Sequence, residues 1–248
     1  MRYYVTADVH GFYTPLYHAL TEAGFFTDPE PNTLIVLGDL FDRGAEALKI
    51  QDFTMRLMDE RRVILIKGNH EDLFEELVTT DHGAAYSHHV SNGTYDTALQ
   101  LTGFSTAEAG RKPYGFAAAA RRTPFFTQII PSMLDYYETE HYVFVHGWIP
   151  CVYQNREFRY VPDWRNAGRE EWASARWYNG MEAAQTCMEE KTILCGHWHA
   201  SYGHFKFEHK GSEHGRDADY SPYCGSRIIA LDACTALSRK VNVIVLED

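Results

Sequence analysis

The chain has 248 residues, 45% hydrophobic and 23% charged, with a formal net charge of −11. That length can bury a sizeable core without staples, and no apolar run approaches the roughly 20 residues that span a bilayer. So acidic a surface repels polyanions and argues against broad nucleic-acid binding.

The opening MRYYVTADVHG lacks the long apolar stretch of a signal peptide and reads as a first strand at 3–6. A helix over 15–23 follows, then strand 34–37, a helix over 45–60, strand 63–66 and a helix over 72–78. The runs are short and β-branched, as in buried strands, and the βαβαβα order predicts an α/β sheet. Residues 80–135 read as short helices, broken by Pro-Phe and Ile-Pro steps. Further strands are expected at 142–145, 192–195, 227–231 and 241–246, with 150–190 an irregular, partly helical insertion. Cys151, Cys187, Cys195, Cys224 and Cys234 are odd in number and contain no C-x-x-C. That argues against a disulfide framework and fits a reducing cytoplasm.

Five of the strand runs end in polar segments: Ala-Asp8-Val-His10-Gly, Gly-Asp39-Leu-Phe-Asp42-Arg43-Gly, Gly-Asn69-His70-Glu, His146-Gly and Gly-His197-Trp-His199. Loops leaving the carboxyl ends of strands in an open α/β sheet converge on one crevice. Carboxylates, an amide and imidazoles should therefore meet there. That mixture suits borderline divalent ions such as Mn, Fe, Zn, Co or Ni, and the donors suffice for two. A metal-loaded site would accept a phosphorylated substrate despite the acidic surface, because bound ions reverse the local field.

In order and composition these segments resemble the signature of the calcineurin-like metallophosphoesterases. Asp-Arg-Gly after Asp39 is similar to the branch holding serine/threonine protein phosphatases and symmetrical dinucleoside tetraphosphatases. The resemblance is close over the first 80 residues, holds by motif over 140–148 and 192–245, and fades over 80–135 and 150–190. It implies a single domain over 1–248, a four-layer sandwich of two mixed β-sheets flanked by helices, with variable insertions in those two stretches. It implies two divalent ions, manganese first among the candidates. Asp8 and His10 would hold one and Asp39 would bridge both. Asn69, His146 and His197 would complete the second. His70 would be the general acid, oriented by Asp42, and Arg43 would bind phosphoryl oxygens, with Asn69 beside it. Arg176 is a further substrate-binding candidate. The protein-phosphatase branch usually lacks the second histidine of Gly-His-x-His; His199 is present here and is expected to join the first metal.

The implied chemistry is phosphoester hydrolysis by a hydroxide bridging the metals. A phosphomonoesterase acting on phosphoproteins or small phosphoesters is the first expectation. A dinucleoside polyphosphate hydrolase or cyclic-nucleotide phosphodiesterase is the alternative, and a non-catalytic metal scaffold is a third. A nuclease role is disfavoured by the charge of −11. The expected setting is the cytoplasm, with no membrane or nucleic-acid polymer as partner. Arg111, Lys112, Arg121 and Arg122 read as a solvated helix face, Trp148 and Trp198 as packing residues, and the remaining histidines, His88, His89 and His214 among them, as surface or packing residues.

Overall fold

A computed structural model of the chain describes residues 1–80 and 86–248; residues 81–85, His82 among them, lie outside it. The described strands run β1 (Arg2–Thr6), β2 (Asn32–Leu37), β3 (Val63–Ile66), β4 (Tyr137–Glu138), β5 (Tyr142–Phe144), β6 (Cys151–Gln154), β7 (Glu157–Tyr160), β8 (Thr192–Cys195), β9 (Tyr223–Gly225), β10 (Ile228–Ala230) and β11 (Val243–Glu247). The first sheet has the order β11-β1-β2-β3 and the second β4-β5-β8-β10-β9, while β6 and β7 form a separate hairpin. β1, β2 and β3 are parallel, as are β5, β8 and β10; β11, β4 and β9 are antiparallel edges.

Both sheets are covered on both faces, which explains why their strands read as continuous apolar runs. Along β2, Ile35 and Leu37 enter a core between the sheets that also holds Phe144 and Leu194. Leu34 and Val36 point outward into a core shared with helices. Along β8, Leu194 faces the other sheet, while Ile193 and Cys195 face a third core with Trp148, Trp164 and Trp172. The two mixed sheets thus stack with helices outside them, the expected architecture.

The helices α1 (Tyr13–Ala23), α2 (Ala47–Asp59) and α3 (Asn69–Thr79) fall where the sequence pattern placed them. α3 begins earlier than expected, because Glu71 closes its first turn by accepting the Gly68 N–H at 2.7 Å. The described part of the 80–135 stretch is mostly helical: α4 (Tyr86–Asn92), α5 (Thr94–Thr102), α6 (Thr106–Arg111) and α7 (Pro113–Ala120) precede a π-helical turn at Phe125–Ile129.

Three features depart from the sequence reading. The β6–β7 hairpin was not anticipated: its turn residues Asn155 and Arg156 have φ of 55° and 68°, a primed turn without the usual glycine signal. β4 has two residues and β9 three, too few to show a period. Cys151 and Cys187 form a disulfide, leaving Cys195, Cys224 and Cys234 free. The odd count argued against a disulfide framework; a single bridge was not anticipated.

Phe125 is 1% exposed, with ring centroids 4.0 Å from Phe41 and 4.7 Å from Phe74. It ties the segment after α7 to α3, which carries site residues in its first turn. Phe125→Ala is expected to lower stability by about 3–5 kcal/mol in urea unfolding. A loss below about 0.5 kcal/mol, the range of surface substitutions, would remove Phe125 from the core.

Candidate metal centre and active site

Each expected motif lies just past a strand end on the same side of the two sheets. Asp8 and His10 follow β1, Asp39 follows β2, Asn69 and His70 follow β3, His146 follows β5 and His197 follows β8. Asp8, His10, Asp39, Asn69, His70 and His146 are at most 4% exposed. The backbone turns sharply to deliver them. Asp8, His10, Asp39, Asp42, Arg43 and His197 all have φ between 50° and 77°, a region L residues avoid and functional sites retain.

Asp39 is the hub. Its Oδ2 lies 3.8 Å from His10 Nε2 and 3.8 Å from His70 Nε2. Its Oδ1 lies 3.4 Å from His146 Nε2 and accepts the His70 backbone N–H at 3.1 Å. One donor atom from each of His10, Asp39 and His70 falls within 4.8 Å of the others, and the same holds for Asp39, His146 and His197. The carboxylate therefore turns one oxygen to each group. Asp8 presents both oxygens to the His197 backbone N–H at 3.0 Å. Two glycines permit the approach: a Cβ on Gly68 would stand 2.1 Å from Asp39 Oδ1, and one on Gly196 2.1 Å from Asp8 Oδ2.

The histidines differ in what holds them. His10 Nδ1 donates to the Phe41 carbonyl at 3.0 Å, and His146 Nδ1 to the Leu37 carbonyl at 2.7 Å. A carbonyl only accepts, so each Nε2 carries a lone pair. His146 Nε2 faces Asn69 Oδ1 at 2.8 Å as well as Asp39, so lone pairs converge with no proton between them. Burial pushes His10 and His146 down. Burial, followed by the neighbouring His146, which resists a second positive charge beside it, takes His197 to about 3. Neutral imidazoles oriented by backbone carbonyls are what a cation requires. Burial, then the charges of Asp232 and Asp39, pushes Asp8 well above the carboxylate range, a repulsion that a cation would relieve. The donors fit divalent metal ions on chemistry and orientation alike.

His70 is held differently. Its Nδ1 donates to Asp42 Oδ2 at 2.6 Å. Burial alone would lower its pKa, but the Asp39 charge and the Asp42 bond outweigh it and the net shift is upward. Arg43 Nη2 stands 3.3 Å from His70 Nε2. Asp42 is itself clamped: Thr94 Oγ1 donates to Oδ2 and Thr97 Oγ1 to Oδ1, both at 2.7 Å.

Two expected site residues have partners of their own. Arg176, 5% exposed, pairs with Asp72 at 2.7 Å and with Asp135. His199 stands outside the Asp39-centred groups, its Nε2 turned to Glu213 at 3.1 Å. Trp148 is buried, its Nε1 donating to the Cys187 carbonyl at 3.0 Å; Trp198 packs on His199 and Tyr202. Arg111, Lys112, Arg121 and Arg122 are exposed, as expected of a solvated face.

Four residues of the site were missed. Glu71 accepts from Gly68, Asp39 and Leu40 N–H groups at 2.7, 3.1 and 3.0 Å and so fixes two site loops together. Thr94 and Thr97 gave no signal in the sequence. Asp232 did: it follows β10 as the other site residues follow their strands, and burial pushes its pKa to about 6 although Cys234 N–H bonds it.

The sequence model of the calcineurin-like phosphoesterases matches residues 1–216. The chain belongs to that family. It is 36% identical over 80 residues to serine/threonine-protein phosphatase 2 of Escherichia coli, covering 32% of this chain and 34% of that protein. It is 39% identical over 71 residues to a symmetrical bis(5'-nucleosyl)-tetraphosphatase of Photorhabdus laumondii, covering 29% and 24%. The matched segment thus spans about a quarter to a third of the length of these curated relatives. In fold it is similar to a cold-active protein-tyrosine phosphatase of a psychrophilic Shewanella, with TM-score 0.58 and 16% identity over 100% of this chain and 75% of that one. No helix among the described residues is long and apolar enough to cross a membrane.

Gly68→Ala should keep the circular dichroism spectrum while weakening manganese binding by about 10–100-fold, the usual scale for disturbing groups that orient ligands. Titration with atomic-absorption readout measures it. Unchanged affinity would mean that Asp39 does not need this close approach.

Proposed function

We propose that the chain, acting as one domain over 1–248, is a two-metal phosphoesterase whose first substrates are phosphomonoesters of proteins or small molecules. The observation that carries this reading is the contrast among the converging histidines. His10 and His146 hang from backbone carbonyls as neutral ligands. His70 hangs from a carboxylate instead, its Nε2 facing the Arg43 guanidinium. A metal store has no use for the second kind.

Asp8, His10 and Asp39 would hold one ion; Asp39, Asn69, His146 and His197 the other. When bound, two such ions acidify water and neutralise phosphoryl oxygens. Arg43 would hold the phosphoryl group by charge-assisted hydrogen bonds. His70 Nε2 accepts from the Arg43 guanidinium at 3.3 Å; once Arg43 turns to the phosphoryl group, Nε2 would take up a proton from water and release it to the departing oxygen. Asp42 would keep the imidazole aimed and favour its charged form, and Thr94 and Thr97 would keep Asp42 fixed.

A second reading has support in Trp177. Its indole is 47% exposed and stands edge-on to His197 with centroids 5.7 Å apart, where a nucleobase could stack. That favours a dinucleoside polyphosphate as an alternative substrate.

With manganese, the protein is expected to hydrolyse an aryl phosphate and a phosphopeptide. His70→Ala should lower kcat by about 10²–10⁴-fold for poor leaving groups, and less for a nitrophenolate. An equal loss for both would remove His70 as the acid. If tightly bound metal accompanies no turnover of an aryl phosphate, a phosphopeptide, a dinucleoside tetraphosphate or a cyclic nucleotide, the scaffold reading replaces this one. Trp177→Ala should raise KM for the dinucleoside tetraphosphate alone; equal effects on the aryl phosphate would discard the stacking role.

A further inference from the structure

A second set of donors meets beside the Asp39-centred groups. His199 Nε2 lies 3.1 Å from Glu213 Oε1, and His214 Nε2 lies 3.6 Å from the same oxygen. The imidazole centroids are 4.7 Å apart, and one donor atom from each of the three residues falls within 4.8 Å of the others. Ligands at about 2.0–2.2 Å from a tetrahedral zinc stand about 3.3–3.6 Å from one another. The two separations from the Glu213 oxygen, 3.1 and 3.6 Å, lie close to that spacing.

The donors are also held. Trp198 stacks on the His199 ring with centroids 6.0 Å apart and planes at 24°, leaving its side chain 15% exposed. The loop carrying Glu213 and His214 is tied down by Ser201 Oγ, which donates to the Glu213 carbonyl at 2.7 Å. Ser212 Oγ donates to the His214 carbonyl at 2.8 Å. One carboxylate oxygen therefore faces two imidazole nitrogens on a braced loop, where a single N–H would serve a hydrogen bond.

We propose that His199, Glu213 and His214 form a separate divalent-metal site of zinc type, distinct from the Asp39 centre. His214 is 57% exposed, so the remaining coordination position faces water. A three-ligand site with one open position is a common zinc arrangement. Bound there, the ion clips the loop at 211–217 to the start of the helix Ala200–Phe207, at the edge of the active-site crevice. His199 is thereby withdrawn from the first ion of the main centre.

The site is tested by counting metal, which needs no turnover. Protein equilibrated with zinc and desalted should carry three ions per chain by mass spectrometry. His214→Ala and Glu213→Gln should each carry two, with unchanged circular dichroism. His199→Ala should lose the same ion and no other. A count that neither His214→Ala nor Glu213→Gln lowers overturns the site. So does a His199→Ala protein that loses an ion the other two variants keep, because His199 would then belong to the Asp39 centre.

Discussion

The rest of the site depends on a single buried carboxylate having its two oxygens turned to different partners. Asp39 is 2% exposed, and the idealised cost of burying such an ion without compensation runs to several kcal/mol or more. Protein groups supply only part of the compensation. The His70 N–H reaches Oδ1, and it belongs to the first turn of α3, where a helix favours negative charge. The imidazoles that face Asp39 are mostly neutral. A cation on each side would complete the balance, which is what the proposed two-metal reading requires of Asp39.

That arrangement has a cost in the backbone. Six site residues adopt left-handed φ, each worth about 1–3 kcal/mol of strain in general. The reason lies in the sheets. Their strands are covered on both faces, so side chains within a strand enter one core or another. A side chain reaches the crevice only after the strand has ended and the chain has turned. The turns are held by paired loops: His10 N–H bonds the Asp39 carbonyl at 2.9 Å and Gly11 N–H the Leu40 carbonyl at 2.8 Å. Glu71 locks the Asp39 loop to the Gly68 turn.

Much of this was legible in the sequence because the candidate site residues sit at strand ends, where an apolar run followed by a polar residue is a local pattern. Asp8, His10, Asp39, Asn69, His146 and His197 all obey it. Asp232 obeys it too and was overlooked, since a lone aspartate carries less chemical signal than a histidine pair. Thr94 and Thr97 were illegible for a different reason. They act by contact with a residue more than 50 positions earlier, and threonine on a helix is unremarkable. A segment where the resemblance fades thus supplies the clamp on Asp42, the partner of His70. Arg176 lies near enough for its charge to act on His146, as its position suggests, while its guanidinium is committed to Asp72 and Asp135.

The parting of His197 from His199 follows from the same backbone logic. The family resemblance placed both histidines in one centre, and residues two apart along a strand do point the same way. The rule holds only while the chain stays extended. His197 has φ of 65°, which breaks the alternation, and His199 resumes at φ −60° and ψ 134° as the residue that opens the next helix. One left-handed residue thus sends His197 inward to Asp39 and His199 outward to Glu213. The Gly-His-x-His motif names two donors; the turn between them decides whether they share an ion.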